Sequence, residues 1–184
     1  VDGLPEYMTL MGGRYDWSAM PLAGTDCKTA YQRECLGRIG HDVAVAIRTN
    51  FHSGSSGAWG DLAPDVLMNV FGYAFARSLD NVYSTENQPL SAIEPYRNAI
   101  LASLDDAHAG VRSSQGYYHE FVIDGYGVDR ADSGRIYCHV NFGWAGRDDG
   151  WYDLMGGKTA VTDYSFNTFD DIIYNIHPTK PGDV

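Results

Sequence analysis

Two runs of aromatic and β-branched residues, 117–126 and 135–142, constrain the fold of this chain more than any other feature of its sequence. The residues between them at 129–134 are Asp, Arg, Ala, Asp, Ser and Gly, and most of these types favour turns. Two such runs joined by such a segment predict an antiparallel β-hairpin. Further strands are predicted at 151–154 and 172–176, which would complete an antiparallel meander.

Helical patterns dominate the chain before this hairpin. Apolar or aromatic residues recur every four positions from 27 to 39 and would share one face of a helix, which predicts a helix there. The short apolar run 43–47 could continue that helix or form a strand, because its periodicity fits both. Apolar stripes over 61–71 and 91–104 predict two more helices. Helices followed by an antiparallel sheet indicate the α+β class, with the helices packed on a C-terminal antiparallel sheet.

Composition supports a folded chain and limits its partners. The 184 residues contain no Pro/Gly/Ser linker or internal repeat, so we predict a single domain, 1–184. With 13 Lys and Arg against 24 Asp and Glu, the net charge is −11, which disfavours binding to nucleic acid or to an anionic membrane surface. The three cysteines show no C-x-x-C spacing, so neither a disulfide framework nor a zinc ribbon is indicated.

The predicted hairpin brings a histidine, an amide and an indole to one end of the sheet. If the turn is centred near Ala131, facing residues have numbers that sum to about 262, which places His119 opposite Gly143. Asn141 and Trp144 then lie within reach of the imidazole. A titratable ring with a hydrogen-bonding neighbour and an aromatic wall could act as a general base. By alternation along its strand, His119 could instead be a structural histidine of the core.

Several segments carry a recognisable order of motifs. Residues 119–126 read H-E-F-V-I-D-G-Y, residues 139–146 read H-V-N-F-G-W-A-G, and residues 149–154 read D-G-W-Y-D-L. They resemble the C-terminal signature of the streptopain family, which runs H-A-F-V-I-D-G, H-V-N-W-G-W-G-G and D-G-[YF]-[YF]-x-L. Residues 15–21, Y-D-W-S-A-M-P, look like the family's Y-D-W-x-x-M-P, and the Ser/Gly loop 53–58 resembles its substrate-side loop. Streptopain-like proteins are secreted bacterial cysteine proteases with a papain-like fold.

The resemblance implies roles for individual residues. His119 corresponds to the general base that deprotonates a nucleophilic thiol, and Asn141 and Trp144 match residues that orient and shield its imidazole. Tyr118, where the family tends to have Gly, is expected to narrow the substrate cleft beside the base. The remaining substrate-binding residues implied by the resemblance are Ser55, Ser56 and Gly57. No cofactor is expected.

The sequence departs from the family pattern at three positions of this signature, Glu120, Phe142 and Ala145. Phe142 stands where the family has Trp, and this difference matters most. If the indole NH helps to hold the imidazole, Phe142 supplies the aromatic wall without the hydrogen bond. Activity would then depend on Asn141.

The nucleophile of the family lies upstream of the Y-D-W segment, and this chain contains no equivalent. Cys27 and Cys35 fall on a helix stripe and Cys138 on the apolar side of a strand, so all three are interpreted as packing residues. The chain is therefore expected to be the His-bearing C-terminal part of a secreted cysteine endopeptidase acting on polypeptides, silent alone, with its cysteine on a missing upstream segment or partner chain. The alternative is a non-catalytic module that keeps the fold for binding or inhibition.

Other titratable residues have plainer interpretations. Acidic residues of the C-terminal half lack the spacing of a calcium loop and are predicted turn formers: Asp124, Asp129, Asp132, Asp148, Asp149 and Asp153. Four histidines have no companion at ligand spacing, which predicts no catalytic metal: His41, His52, His108 and His177.

Overall fold

The computed structural model describes residues 8–22, 24–80, 90–108, 110–114, 119–132, 134–153 and 171–178. The chain divides into two compact units, Val1–Val66 and Leu67–Val184, which are described in turn. Whether they form the predicted single domain stays a prediction. None of the helices in the described ranges is long and apolar enough to cross a membrane.

The first unit is built around helix α1 (Ala30–Ala46). Thr29 caps its start: the Thr29 hydroxyl accepts from Gln32 N at 3.1 Å, and the Gln32 side chain accepts from Thr29 N at 3.1 Å. This capping box explains why the helix begins after Cys27, later than the stripe predicted. The run 43–47, which the sequence left open, continues α1 to Ala46. The helix ends where Arg48 adopts a left-handed φ of 55°.

The most buried side chain of α1 is Asp42, which is 0% exposed. Its carboxylate accepts from Met11 N at 2.7 Å and from Gly12 N at 3.0 Å. The Tyr15 hydroxyl donates to it at 2.6 Å, and His41 Nδ1 lies 3.0 Å away. Burial of this carboxylate opposes its ionisation, but these hydrogen bonds outweigh the burial and hold the pKa of Asp42 well below its usual value. Asp42 thus fastens the segment that carries the Y-D-W motif to α1.

The predicted helix at 61–71 is confirmed over a shorter range as α2 (Ala63–Asn69), which a 3-10 turn at Gly60–Leu62 precedes. In the second unit, the helix predicted from residue 91 is α3 (Leu90–Asp105), and it packs against the sheet.

That sheet has six antiparallel strands: β1 (Tyr73–Asp80), β2 (Gly110–Ser114), β3 (His119–Asp129), β4 (Arg135–Asn141), β5 (Gly150–Tyr152) and β6 (Asp171–Pro178). Their order is β1-β6-β2-β3-β4-β5. The predicted meander is therefore right for β3, β4 and β5 and wrong for the last strand, because β6 inserts between β1 and β2. The predicted α+β class, with a helix packed on a C-terminal antiparallel sheet, is confirmed.

The hairpin of β3 and β4 forms close to the predicted register. Partner numbers sum to 264 beside the turn, as in Asp129 with Arg135, and to 263 farther along, as in Val122 with Asn141. The shift occurs at Asp124, where a bulge interrupts the ladder between Ile123 and Gly125. Because the error of the prediction is one or two residues, it still brings His119 to the end of β4.

The core of this unit lies between α3 and one face of the sheet, where alternate residues of β3 and β4 point inward. Its buried members are Ile100, Phe121, Ile123, Cys138, Val140, Phe142, Tyr152 and Ile172.

Candidate active site

His119 is the first residue of β3, and its partly buried imidazole is held by the main chain of a turn. His119 Nε2 lies 2.9 Å from the carbonyl oxygen of Phe142. A carbonyl oxygen only accepts hydrogen bonds, so Nε2 must carry the proton. In the neutral ring, Nδ1 is then the nitrogen with a free lone pair. The geometry therefore assigns Nδ1 as the basic atom of His119.

Aromatic rings cover one side of this imidazole. The Trp144 ring centroid lies 4.7 Å from that of His119, and the Phe142 ring stacks on Trp144 at 5.0 Å with 16° between their planes. Phe142 is only 2% exposed, because it also packs against Phe121 and, edge to face, against Tyr152. A ring walled in this way keeps a fixed orientation and is shielded from water on that side.

Asn141 lies at the end of β4 beside this cluster but does not hydrogen-bond to the imidazole. Its side-chain oxygen accepts from Gly143 N at 2.8 Å, which forms a tight side-chain turn. Gly143 has φ 73°, a value that glycine adopts without strain. The structure thus brings together His119, Asn141 and Trp144, as the sequence predicted, but the direct partner of the ring is the carbonyl of Phe142.

A second residue supports the same turn. Phe142 N donates to the Asp149 carboxylate at 2.9 Å, so the peptide groups on both sides of Phe142 are fixed. The buried Tyr152 hydroxyl donates to the Asp148 carbonyl. Burial, followed by the nearby carboxylates of Asp148 and Asp149, raises the pKa of Tyr152. The sequence places Asp149 at the start of the D-G-W-Y motif and predicts a turn former, but it does not reveal this contact with Phe142 N.

Other acidic residues of this half are engaged in ion pairs or turns. Asp124 pairs with His139 at 2.6 Å across the bulge, and Asp129 accepts from Ala131 N at 2.9 Å. The Arg135 guanidinium forms ion pairs with two more of them: its Nε lies 2.8 Å from the Asp132 carboxylate and its Nη1 lies 2.9 Å from the Asp153 carboxylate. The turn-former prediction holds for Asp129 and Asp132 at the β3–β4 turn but is wrong for Asp124, which lies within strand β3.

Ala145, which stands where the family has Gly, adopts a left-handed φ of 57° in the turn after Trp144. A side chain costs about 1 kcal/mol in that conformation, so Ala145→Gly is expected to raise the free energy of unfolding by about 1 kcal/mol. Urea denaturation measures the change. The matched control is Ala102→Gly in the last turn of α3, which should lower stability by up to about 0.5–1 kcal/mol. A loss of stability in both variants would contradict the argument.

The predicted substrate-binding residues are placed separately. Ser55, Ser56 and Gly57 lie in an exposed loop of the first unit. The loop is closed by two main-chain hydrogen bonds between Asn50 and Gly57, at 2.8 and 3.1 Å. Tyr118 lies outside the described residues.

The cysteines are placed largely as predicted. Cys138 is fully buried in the core and Cys35 is buried in α1, while Cys27 is only partly buried and precedes the helix.

One expectation about histidines is wrong. His108 and His177 do have companions at ligand distance, because the fold brings the end of α3 beside β6 and places both histidines next to Asp106. Their separation in sequence hides this arrangement.

Comparisons with known proteins agree with this architecture. No curated protein matches the chain. A solved structure of a prointerpain A fragment from Prevotella intermedia superimposes with a TM-score of 0.68 at 24% identity and covers 92% of this chain. Active wild-type interpain A, described as a cysteine protease, superimposes with a TM-score of 0.65 at 23% identity over 89% of this chain. The chain spans only 50% and 64% of those two proteins, and the likeness establishes the fold.

The family itself is established by a match along most of the sequence. The family model described as the Peptidase C10 family matches residues 6–152, which include every motif from the Y-D-W segment to the D-G-W-Y segment. The resemblance to streptopain-like proteins is thereby confirmed, and the chain belongs to the Peptidase C10 family.

Proposed function

We propose that this chain is the His-bearing part of a cysteine endopeptidase that hydrolyses peptide bonds, and that the thiol comes from a segment outside it. One observation carries the proposal: His119 is held through Nε2 by a main-chain carbonyl, with Nδ1 left as a base. Family membership supports peptidase chemistry. Two of the described cysteines, Cys35 and Cys138, are buried in packing positions and do not offer a second source of the thiol.

The reaction would use Nδ1 twice. It first takes the proton of the thiol, and the resulting thiolate attacks the carbonyl carbon of the peptide bond. The imidazolium then gives that proton to the leaving nitrogen as the C–N bond breaks, which leaves a thioester. In the second half, Nδ1 takes a proton from water as the water attacks the thioester. The C–S bond then breaks, the proton returns to sulfur, and the thiol is restored.

Phe142 and Asn141 would act by positioning. The carbonyl of Phe142 accepts from Nε2 and stabilises the imidazolium, so replacing the family's Trp with Phe does not remove this acceptor. Asn141 would hold the turn that carries this carbonyl, through Gly143 N. Trp144 would shield one side of the His119 imidazole from water.

The resemblance to streptopain-like proteins also implies a substrate, residues that contact it and a location. We infer a polypeptide substrate, contacts to it from Tyr118 and from Ser55, Ser56 and Gly57, and secretion of the enzyme from a bacterial cell. The net charge of −11 favours neither nucleic acid nor an anionic membrane as a partner.

The test is reconstitution with a thiol-bearing segment. The chain alone should not cleave a fluorogenic peptide above background, whereas the chain combined with an upstream cysteine-bearing segment of a C10 peptidase should. The control is the same segment with its cysteine replaced by alanine, and alkylation of the thiol should also abolish cleavage. A mixture that binds without cleaving would overturn the proposal and favour a non-catalytic binding or inhibitory module.

A further inference from the structure

A cluster of three potential metal ligands lies where α3 ends against β6, and the proposed peptidase chemistry uses none of them. Asp106 and His108 follow the last turn of α3, and His177 lies near the end of β6. The two imidazole centroids are 3.9 Å apart. A search of the described residues for three or more histidine, cysteine or carboxylate side chains close enough to hold one metal ion finds this group.

The donor atoms have the spacing of a metal site. Asp106 Oδ2 lies 3.4 Å from His108 Nδ1 and 3.6 Å from His177 Nε2. Two donors 2.0–2.2 Å from a tetrahedral zinc ion lie about 3.3–3.6 Å apart, so both distances fit without rearrangement. All three donor atoms lie within 4.8 Å of one another.

The hydrogen bonding of the two histidines also supports a metal site. His108 Nδ1 is buried and makes no hydrogen bond, although Asp106 Oδ2 lies 3.4 Å away, and an unsatisfied buried nitrogen is costly unless something binds it. His177 Nε2 lies 2.6 Å from the Asn175 side-chain oxygen. That nitrogen must give up its hydrogen bond to bind a metal, and the Asn175 oxygen is then close enough to become a further ligand.

The backbone around the cluster is well fixed. The Ser103 hydroxyl accepts from Asn175 N at 2.9 Å, and His108 N donates to Ser103 O at 2.8 Å, so one residue of α3 anchors both sides. Ala107 and Asn175 adopt left-handed φ values of 59° and 55° beside the two histidines. Strained residues of this kind persist where the surrounding structure holds them, and they are frequent at ligand sites.

We propose that Asp106, His108 and His177 bind a divalent transition-metal ion, for which Zn²⁺ is the best match. Two neutral imidazoles and one carboxylate suit this ion, and its fourth position is filled by water or by Asn175. Because two ligands come from the end of α3 and one from β6, the ion cross-links the helix to the sheet. Its expected effect is to stabilise the unit Leu67–Val184.

The test is zinc titration of the full chain after removal of metals with EDTA. Calorimetry should show one tight site, and zinc should raise the melting temperature by linkage. His177→Gln and Asp106→Asn should each weaken zinc binding by more than about 100-fold, because loss of outer-sphere partners alone costs 10–100-fold. Both variants should lose the zinc-dependent rise in melting temperature.

His139→Gln is the matched control, since His139 pairs with Asp124 but has no second histidine beside it. It should bind zinc like the unaltered protein. Asp106 is 67% exposed, so the Asp106→Asn chain keeps its fold even if His177→Gln does not. Absence of a tight zinc site, or zinc affinity unchanged in Asp106→Asn, would overturn the proposal.

Discussion

Replacing His119 with alanine in the enzyme that also carries the thiol is expected to lower kcat for peptide hydrolysis by about 10³-fold or more. In the proposed mechanism this ring supplies both proton transfers. KM should change little, because the imidazole acts on the thiol and the leaving group more than on the bound peptide. Steady-state kinetics with a fluorogenic peptide measure both constants.

The matched control is His139→Ala in the same assay. His139 is also a partly exposed histidine of this sheet, but it pairs with Asp124 and contacts the edge of Trp151. Its loss should leave kcat within about twofold of the unaltered enzyme and cost only the modest stability of a surface ion pair. Thermal unfolding of both variants separates lost chemistry from lost fold. A His119→Ala enzyme that stays folded and keeps more than a tenth of its activity would rule out this residue as the base.

The location of His119 could be predicted from sequence because the determinants are local. Strand alternation and the turn residues at 129–134 set the pairing of β3 and β4 to within two positions. The turn is centred one residue later than predicted, and the bulge at Asp124 shifts the ladder back by one. These two deviations partly cancel at the end of the hairpin, where Asn141 and Trp144 lie.

The partner of the imidazole could not be predicted in the same way. A main-chain carbonyl has no sequence signature, since every residue has one, so the resemblance directed attention to the side chains at 141 and 142. The position of β6 was also beyond local patterns, because antiparallel strands distant in sequence can pair in many orders. His177 reaches His108 only through that strand order, which is why spacing arguments missed the cluster with Asp106.

Asp42 was missed for a different reason. Aspartate is rarely fully buried, so a helix pattern assigns it to the solvent face. Its burial here depends on donors from a segment about 30 residues earlier, which the helix periodicity does not reveal. The same donors give this residue a large predicted effect on stability.

Asp42→Asn is expected to lower the free energy of unfolding at pH 7 by about 3 kcal/mol. The amide keeps the shape of the side chain but replaces one of the accepting oxygens with a donor. The groups that now donate to Asp42, namely Met11 N, Gly12 N and the Tyr15 hydroxyl, then compete for the one remaining oxygen of this side chain. Burial, followed by the hydrogen bond to Asp42, raises the pKa of Tyr15 to about 12, which keeps this hydroxyl a donor in the unaltered protein. Glu34→Gln, on an exposed position of the same helix, is the control and should change stability by less than about 0.5 kcal/mol.

The pH dependence distinguishes a charged acceptor from a mere packing defect. Because the pKa of Asp42 is lowered in the folded state, its ionisation stabilises the fold fully above the unfolded value of about 3.9. That contribution is lost as the pH falls through the folded pKa of Asp42. The free energy of unfolding of the unaltered protein should therefore fall in acid, whereas that of Asp42→Asn should not show this loss. The stability difference between the two should therefore be largest near pH 7 and should shrink below about pH 4. Urea denaturation followed by tryptophan fluorescence at pH 7, 5 and 3 measures it. An equal difference at all three pH values would show that lost packing, and not the carboxylate charge, explains the role of Asp42.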